Sequence, residues 1–316
     1  MDKKNRYYQF CEKEETIPLF SQAWWLDSVC GDNWDACIVQ NENEIIATMP
    51  YFIQKRHGLT LIIQPPLTQT LGPWIRSSDA KYSKILAKQK DIMQDLIEQL
   101  PKYHFFSQNW HYSQTNWLPF YWNGFQQTTR YTYVINDISN INAIWQNFSD
   151  NIRTDIKKAE NRFKLVVRTD LPIEEFYILN KKVFDRQMKS MPYDFELVNR
   201  ISKNGIARNQ CKWFIAQDQD KQNHAGVMII WDNNSAYYLM GGGDPVLRNS
   251  GATSLCMWEA IKFASTVTKK FDFEGSMIES IERFFRSFGA IQTPYFSISK
   301  TPSRLLRAYK ALRMII

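Results

Sequence analysis

The sequence is short of the residues from which metal sites and disulfide frameworks are built. Its four histidines, His57, His104, His111 and His224, show no metal-ligand spacing, so no metal is expected. Its five cysteines (Cys11, Cys30, Cys37, Cys211, Cys256) are odd in number and contain no CxxC pair. No leader is visible in the opening MDKKNRYYQF, and free thiols in a reducing cytoplasm are the simplest expectation. Nor does any apolar run approach the ~18 residues that a membrane-spanning helix needs.

Aromatic rings and positive charge, by contrast, are plentiful. The 316 residues are 44% hydrophobic and 22% charged, enough for one large or two ordinary soluble globular domains. Aromatics reach 15%, enough to pack a core and leave a few rings for a groove that takes a sugar, a peptide or a base. The net charge of +7, from 39 Lys and Arg against 32 Asp and Glu, favours polyanionic partners. A nucleotide cofactor, RNA and an anionic membrane surface all fit, as does a merely solvated basic surface.

Along the chain, Ser21 precedes a helical stretch carrying Trp24-Trp25. Strand patterns follow at 36–40, 45–54 and 59–64, the last ending on Pro65-Pro66. A helix over 81–100 places Ile85, Ile92, Met93 and Leu96 on one face. Strands at 104–107 and 131–135 close this half. Ser149-Asp150 opens a basic helix with Arg153, Lys157 and Lys158 on its flank. Further on come a strand at 165–168, a helix over 172–189, and strands at 213–217 and 226–231. The tail 302–316 reads as a helix in which Arg304, Arg307, Lys310 and Arg313 interleave with Leu305, Leu306, Tyr309 and Leu312. Its basic and apolar faces suit packing on the body or peripheral contact with a membrane.

The most informative stretch is 236–294. An aromatic strand (Tyr237, Tyr238, Leu239) runs into Gly241-Gly242-Gly243 and a polar turn, then into a long helix and the strand Phe271-Asp272-Phe273-Glu274. A glycine-bearing turn at a helix N-terminus makes an anion site, because the first N–H groups of a helix lack internal partners. This order of elements also occurs earlier. The segment 45–50 answers 224–229, His104-Phe105-Phe106-Ser107-Gln108 answers Phe271 to Gly275, and Gly124 answers Gly289 about half the chain away. A duplicated α/β unit follows, divided as 1–140 and 141–316. The first copy has Gln64-Pro65-Pro66-Leu67-Thr68-Gln69 where the second has its glycines, so the donor site is expected in the second copy alone.

These residues resemble the FemAB-like branch of the Gcn5-related N-acetyltransferase (GNAT) superfamily over most of the chain. The resemblance rests on Arg153-x-x-Ile156-Lys157-Lys158-Ala159, on Phe184-Asp185-Arg186-Gln187 ahead of Met191-Pro192-Tyr193, and above all on Gly243 to Tyr295. It implies two tandem GNAT-like units, each a mixed, mostly antiparallel sheet flanked by helices. It further implies that Arg248, Asn249, Ser250, Gly251, Ala252 and Thr253 cradle the pyrophosphate of an acyl-CoA, with acetyl-CoA the first expectation. Thr253 stands where the family pattern has Gly or Ala. Some relatives take an amino acid from aminoacyl-tRNA instead and carry Lys where this chain has Arg286. The residues proposed to touch the acceptor are Arg286, Asp272, Arg186 and Tyr193.

Acyl transfer to an amine needs a base for the amine proton and an acid for the leaving group. Glu274 is the candidate base and shares a strand face with Asp272. Tyr238 and Tyr295 are candidate acids or acceptor contacts. The bland alternatives are a structural ion pair of Glu274 with Arg283 or Arg286, and core packing for the tyrosines. The resulting expectation is a cytoplasmic N-acyltransferase, at the inner face of the membrane if the tail helix docks there. Its acceptor would be an amine of a sugar, a peptide or a lipid-linked cell-envelope precursor. The rivals are an aminoacyl-tRNA-dependent transferase and a non-catalytic pair that binds an anionic polymer or membrane surface.

Overall fold

A computed structural model describes residues 2–275 and 277–307. The chain forms two compact units, Met1–Arg130 with Pro294–Ile316, and Tyr131–Thr293. The elements in chain order are α1 (Lys3–Cys11), α2 (Ala23–Cys30), β1 (Trp34–Asn41), β2 (Glu44–Arg56), β3 (Leu59–Ile63), β4 (Trp74–Ile75), α3 (Tyr82–Glu98), β5 (Phe105–Asn109), α4 (Leu118–Trp122) and β6 (Gln126–Ile135). There follow α5 (Ile141–Asn147), α6 (Asp150–Asn161), β7 (Val166–Arg168), α7 (Ile173–Arg186), α8 (Phe195–Ala207), β8 (Cys211–Gln217), β9 (Asn223–Trp231) and β10 (Ser235–Gly243). The last four are α9 (Ala252–Ala264), β11 (Lys270–Asp272), α10 (Glu279–Arg286) and β12 (Ile291–Lys300).

Each unit holds a mixed sheet built on one plan. In the first unit the order is β1-β2-β3-β5-β12, with β4 paired to β2. All its steps are antiparallel except β3 to β5, where Leu61 lies opposite Phe105. In the second unit the order is β7-β8-β9-β10-β11-β6, and the one parallel step is β10 to β11. The strand 131–135, expected to close the first half, instead pairs with β11 in the second unit, Ile135 opposite Phe271. The end of β12 completes the first unit's sheet, Ser297 opposite Asn109. Each sheet is thus finished by a strand from the other half of the sequence, and 294–307 group with the first unit.

Helices cover both faces of the second sheet because its central strand is apolar on both. Ala225, Val227, Ile229 and Trp231 of β9 join one core with Ile152 and Ile156 of α6 and Leu255 and Trp258 of α9. On the opposite face Phe176 of α7 sits so close to Gly226 that a Cβ there would lie 2.9 Å from its ring. The first unit has its own core, in which Met49, Ile62, Phe106 and Ile298 from four strands meet Ile92, Met93 and Leu96 of α3. Helix α8 has no counterpart in the sequence reading, although Asp194 caps it by accepting the Leu197 N–H at 2.9 Å. The tail helix is described only through Arg307, and Tyr309, Lys310, Leu312 and Arg313 lie outside the described residues. Among the described residues no helix is long and apolar enough to cross a membrane, and no cluster of potential ligands could hold a metal.

Candidate active site

The site of the second unit begins where two parallel strands part. Strands β10 and β11 pair at only three positions, ending with Tyr237 opposite Asp272, after which β11 stops and β10 runs on to Gly243. The three glycines belong to this running-on strand and not to the turn, as the sequence suggested. A bulge between Tyr238 and Met240 turns the strand. The Tyr238 ring folds over Gly241, whose Cβ would fall 2.1 Å from the phenol oxygen. Gly242 lets the main chain of α7 approach directly, since a Cβ would meet the Asn180 nitrogen at 2.3 Å. Small residues here are therefore a packing requirement.

The turn itself runs from Asp244 to Gly251. The Asp244 carboxylate accepts the Val246 N–H at 2.8 Å and takes Lys182 Nζ at 2.6 Å, and both hold its pKa below the usual range, the lysine foremost. A single 3-10 turn (Arg248–Ser250) leads to Gly251, whose φ of +80° is left-handed. Helix α9 starts at once, capped by a residue with no side chain to offer. A pocket of about 230 Å³ opens at this point. Arg186, Tyr238, Arg248, Ala252 and Thr253 line it together with the three glycines. Ala252 and Thr253 are first-turn residues whose N–H groups have no partner within the helix. Two guanidiniums and a helix N-terminus converge there, a setting suited to an anion.

At the last strand pairing Asp272 is buried, and just beyond it Glu274 is half-buried. Desolvation pushes the Asp272 carboxyl up to about 6, against the hydrogen bonds from Thr132 and the Glu274 N–H, which lower it. Glu274 is pushed well above the ordinary carboxylate range, by desolvation first and by the Asp272 charge second. The Tyr238 phenol is raised too, by desolvation and then by its neighbours Tyr193, Glu274 and Cys256, so it keeps its proton at neutral pH. A carboxyl with a raised pKa beside a protonated phenol is the pairing of base and acid that acyl transfer uses. The expected shared strand face is corrected in one respect. Glu274 has φ +58° and lies past the end of β11, so a turn places it and not strand alternation.

The structure thus gathers five of the expected residues (Arg186, Tyr238, Arg248, Ala252, Thr253) around one pocket. Gly251 shapes the turn, Ser250 is buried beneath it, and Asn249 points to solvent. Tyr193 donates to Asn180 Oδ1 at 2.9 Å, and Asn180 Nδ2 holds the Gly241 carbonyl at 2.7 Å, so Tyr193 braces the glycine strand. Arg286 is absent from the pocket lining, and its Nε bonds Glu282 at 2.9 Å. Asp272 is engaged by Thr132 and the Glu274 main chain. Tyr295 falls in the first unit, where Gln69 Nε2 donates to its hydroxyl at 3.5 Å. On the basic helix α6, Arg153 pairs with Asp150, and Lys158 with Asp155 at 2.7 Å. His224 also lines the pocket, its Nε2 bound to Asp218 at 3.0 Å, and the sequence reading missed it.

Residues 146–295 match the family model of the GNAT acetyltransferase domain, a span that holds the whole pocket. Solved structures share the fold along nearly the full chain. A FemX crystal structure matches with a TM-score of 0.68 at 11% identity, covering 94% of this chain and 96% of that one. The L-PGS structure from Bacillus licheniformis matches at 0.56 and 8% identity, over 97% and 93%. A tandem GNAT protein from the clavulanic acid biosynthesis pathway gives 0.55 at 7%, over 95% and 94%. A search of curated proteins returned no match. Residues 146–295 thus match the GNAT acetyltransferase domain, and the chain as a whole shares the fold of FemX and of a tandem GNAT protein.

Proposed function

We propose that this protein is an N-acyltransferase that moves an acyl group, acetyl from acetyl-CoA first among them, onto a primary amine. The observation that carries this reading is the pocket at the start of α9, where Arg186, Arg248 and the uncapped first turn face one space beside Tyr238. A pyrophosphate on the helix N-terminus directs the thioester along the free edge of β10. Glu274 takes the proton of the attacking amine, directly or through one water. The nitrogen bonds to the carbonyl carbon, the carbon–sulfur bond breaks, and Tyr238 protonates the departing thiolate. An amino sugar, a peptide amine or a lipid-linked cell-envelope precursor fits as acceptor, and a cytoplasmic setting fits the cofactor.

Calorimetry with acetyl-CoA tests the donor. Binding that Thr253→Trp abolishes supports the reading, since Thr253 is half-buried in the lining. Gly251 is unsuited to this test, because any side chain there strikes the Asp155 carbonyl at 2.2 Å. Absence of CoA binding together with steeply salt-dependent tRNA binding would shift the donor to aminoacyl-tRNA. Absence of turnover with every acyl-CoA and aminoacyl-tRNA donor would leave a binding module for an anionic polymer or membrane. A mass-spectrometric screen of acyl-CoA donors against amines identifies the acceptor.

A further inference from the structure

The segment Asp272-Phe273-Glu274-Gly275 makes an unusual turn. Glu274 and Gly275 both have φ +58°, two left-handed residues in succession. Glycine adopts this at little cost, and a Cβ at 275 would lie 2.1 Å from the Tyr131 carbonyl, so only glycine fits. Glutamate adopts it at a cost of about 1 kcal/mol and needs something to hold it there. The Glu274 N–H donates to Asp272 Oδ1 at 2.8 Å. The same oxygen accepts the Thr132 hydroxyl from β6. One buried carboxylate oxygen therefore ties the turn to the neighbouring strand. Phe273, between them, is anchored edge-on against Phe271 and by tilted ring contacts with Phe285 and Phe288.

We infer that Asp272 is a positioning residue for the reaction: by gripping the Glu274 N–H it fixes the left-handed turn and thereby the place of the Glu274 carboxyl beside Tyr238. This rests on Glu274 being the base. The charge of Asp272 has a second effect, because an adjacent anion favours the protonated form of Glu274. The groups that act on this cluster are Tyr238 on β10, Tyr193 beside α7 and Cys256 on α9, all neutral at pH 7. On the packed α10 and β6, Glu282 is paired with Arg286 and accepts the Tyr133 hydroxyl. Removing only the Asp272 charge must lower the pH at which Glu274 titrates, whereas removing its oxygen must release the turn.

Two readouts on the full chain separate these effects and need no acceptor. In protein carrying carboxyl-13C glutamate, the resonance missing from Glu274→Gln belongs to Glu274. Asp272→Asn keeps an oxygen acceptor, so it should move that titration down by roughly one unit and leave amide exchange at Glu274 unchanged. Asp272→Ala should speed that exchange about tenfold or more. Should the Asp272 variants not fold, Thr132→Val should also speed the exchange and Thr132→Ser restore it. A titration unmoved in Asp272→Asn, or exchange unmoved in Asp272→Ala or Thr132→Val, overturns the inference. Transfer retained by Glu274→Gln would instead remove Glu274 as base, and the positioning role with it.

Discussion

The two units build the same connection, from a strand to a long helix, and finish it differently. In the second, the connection is a bare turn: Gly251 ends it, α9 starts immediately, and nine residues of that helix are buried, from Ala252 to Ala264. In the first, the connection after β3 is filled by its own side chains. Trp25 Nε1 donates to Thr68 Oγ1 at 2.9 Å, Thr68 donates on to the Pro66 carbonyl at 2.9 Å, and Gln64 Nε2 holds the Thr68 carbonyl at 3.0 Å. Gly72 then lies flat on Trp110, with room for no Cβ. Helix α3 begins only at Tyr82 and buries just Ile92, Met93 and Leu96. The second connection leaves the first turn of its helix uncapped beside a pocket, whereas the first is tied down by its own side chains.

The largest effect expected from this contrast is in binding. Wild-type protein should bind one acetyl-CoA per chain. Thr253→Trp should abolish that binding by more than about 100-fold, and Thr68→Trp in the first unit should not. A stoichiometry of two would break the contrast outright. Next in size, Glu274→Gln should lower kcat by about 100-fold or more, and the acid limb of the wild-type rate profile should lie above the ordinary carboxylate range. Backbone strain sharpens the contrast further. Gly251→Ala combines a φ of +80° with a carbonyl at 2.2 Å and should cost about 2–4 kcal/mol. Gly58→Ala in the first unit, at φ +73° with open space around it, should cost about 1 kcal/mol. Urea denaturation of the two variants measures the difference.

The smallest effect is on stability against pH. A carboxyl whose folded pKa is raised adds stability that is complete below its unfolded value and lost as pH rises through the folded value. For Asp272 that window runs from the ordinary range up to about 6, and for Glu274 it extends upward from the ordinary range. Glu274→Gln should therefore unfold a few degrees higher than wild type at pH 7.5, with the gap closing toward pH 4. Scanning calorimetry at the two pH values checks the sign.

Much of this was legible in the sequence. Strand alternation and the helical face of 81–100 were local patterns, and so was the repeat that pointed to two units. The helix-terminus pocket was legible because Arg248 to Thr253 announce it within six residues. What escaped notice depends on distant partners. Nothing within Tyr131–Ile135 shows that Phe271 is its neighbour, so the sequence alone groups this strand with the first half. Gly241 to Gly243 read as a turn, yet Tyr238 and Asn180, packed against Gly241 and Gly242, are what demand small residues there. Glu274 read as a strand residue, although Gly275 directly after it was a signal that the strand had ended. Helix α8 is the exception, since its signals, the Asp194 cap and the apolar Leu197, Val198 and Ile201, are local.

The exchange of closing strands has a consequence for where this protein can be cut. A segment beginning at residue 146 retains every lining residue of the pocket and the whole matched acetyltransferase domain. It lacks Thr132, which holds Asp272, Tyr133, whose carbonyl accepts the Phe273 N–H at 2.9 Å, and Val134, the register partner of Asp272. Such a fragment would carry the pocket without the strand that holds the Asp272–Glu274 turn. The structural unit is longer than the domain that sequence similarity outlines, and it begins in the preceding half of the chain, at Tyr131.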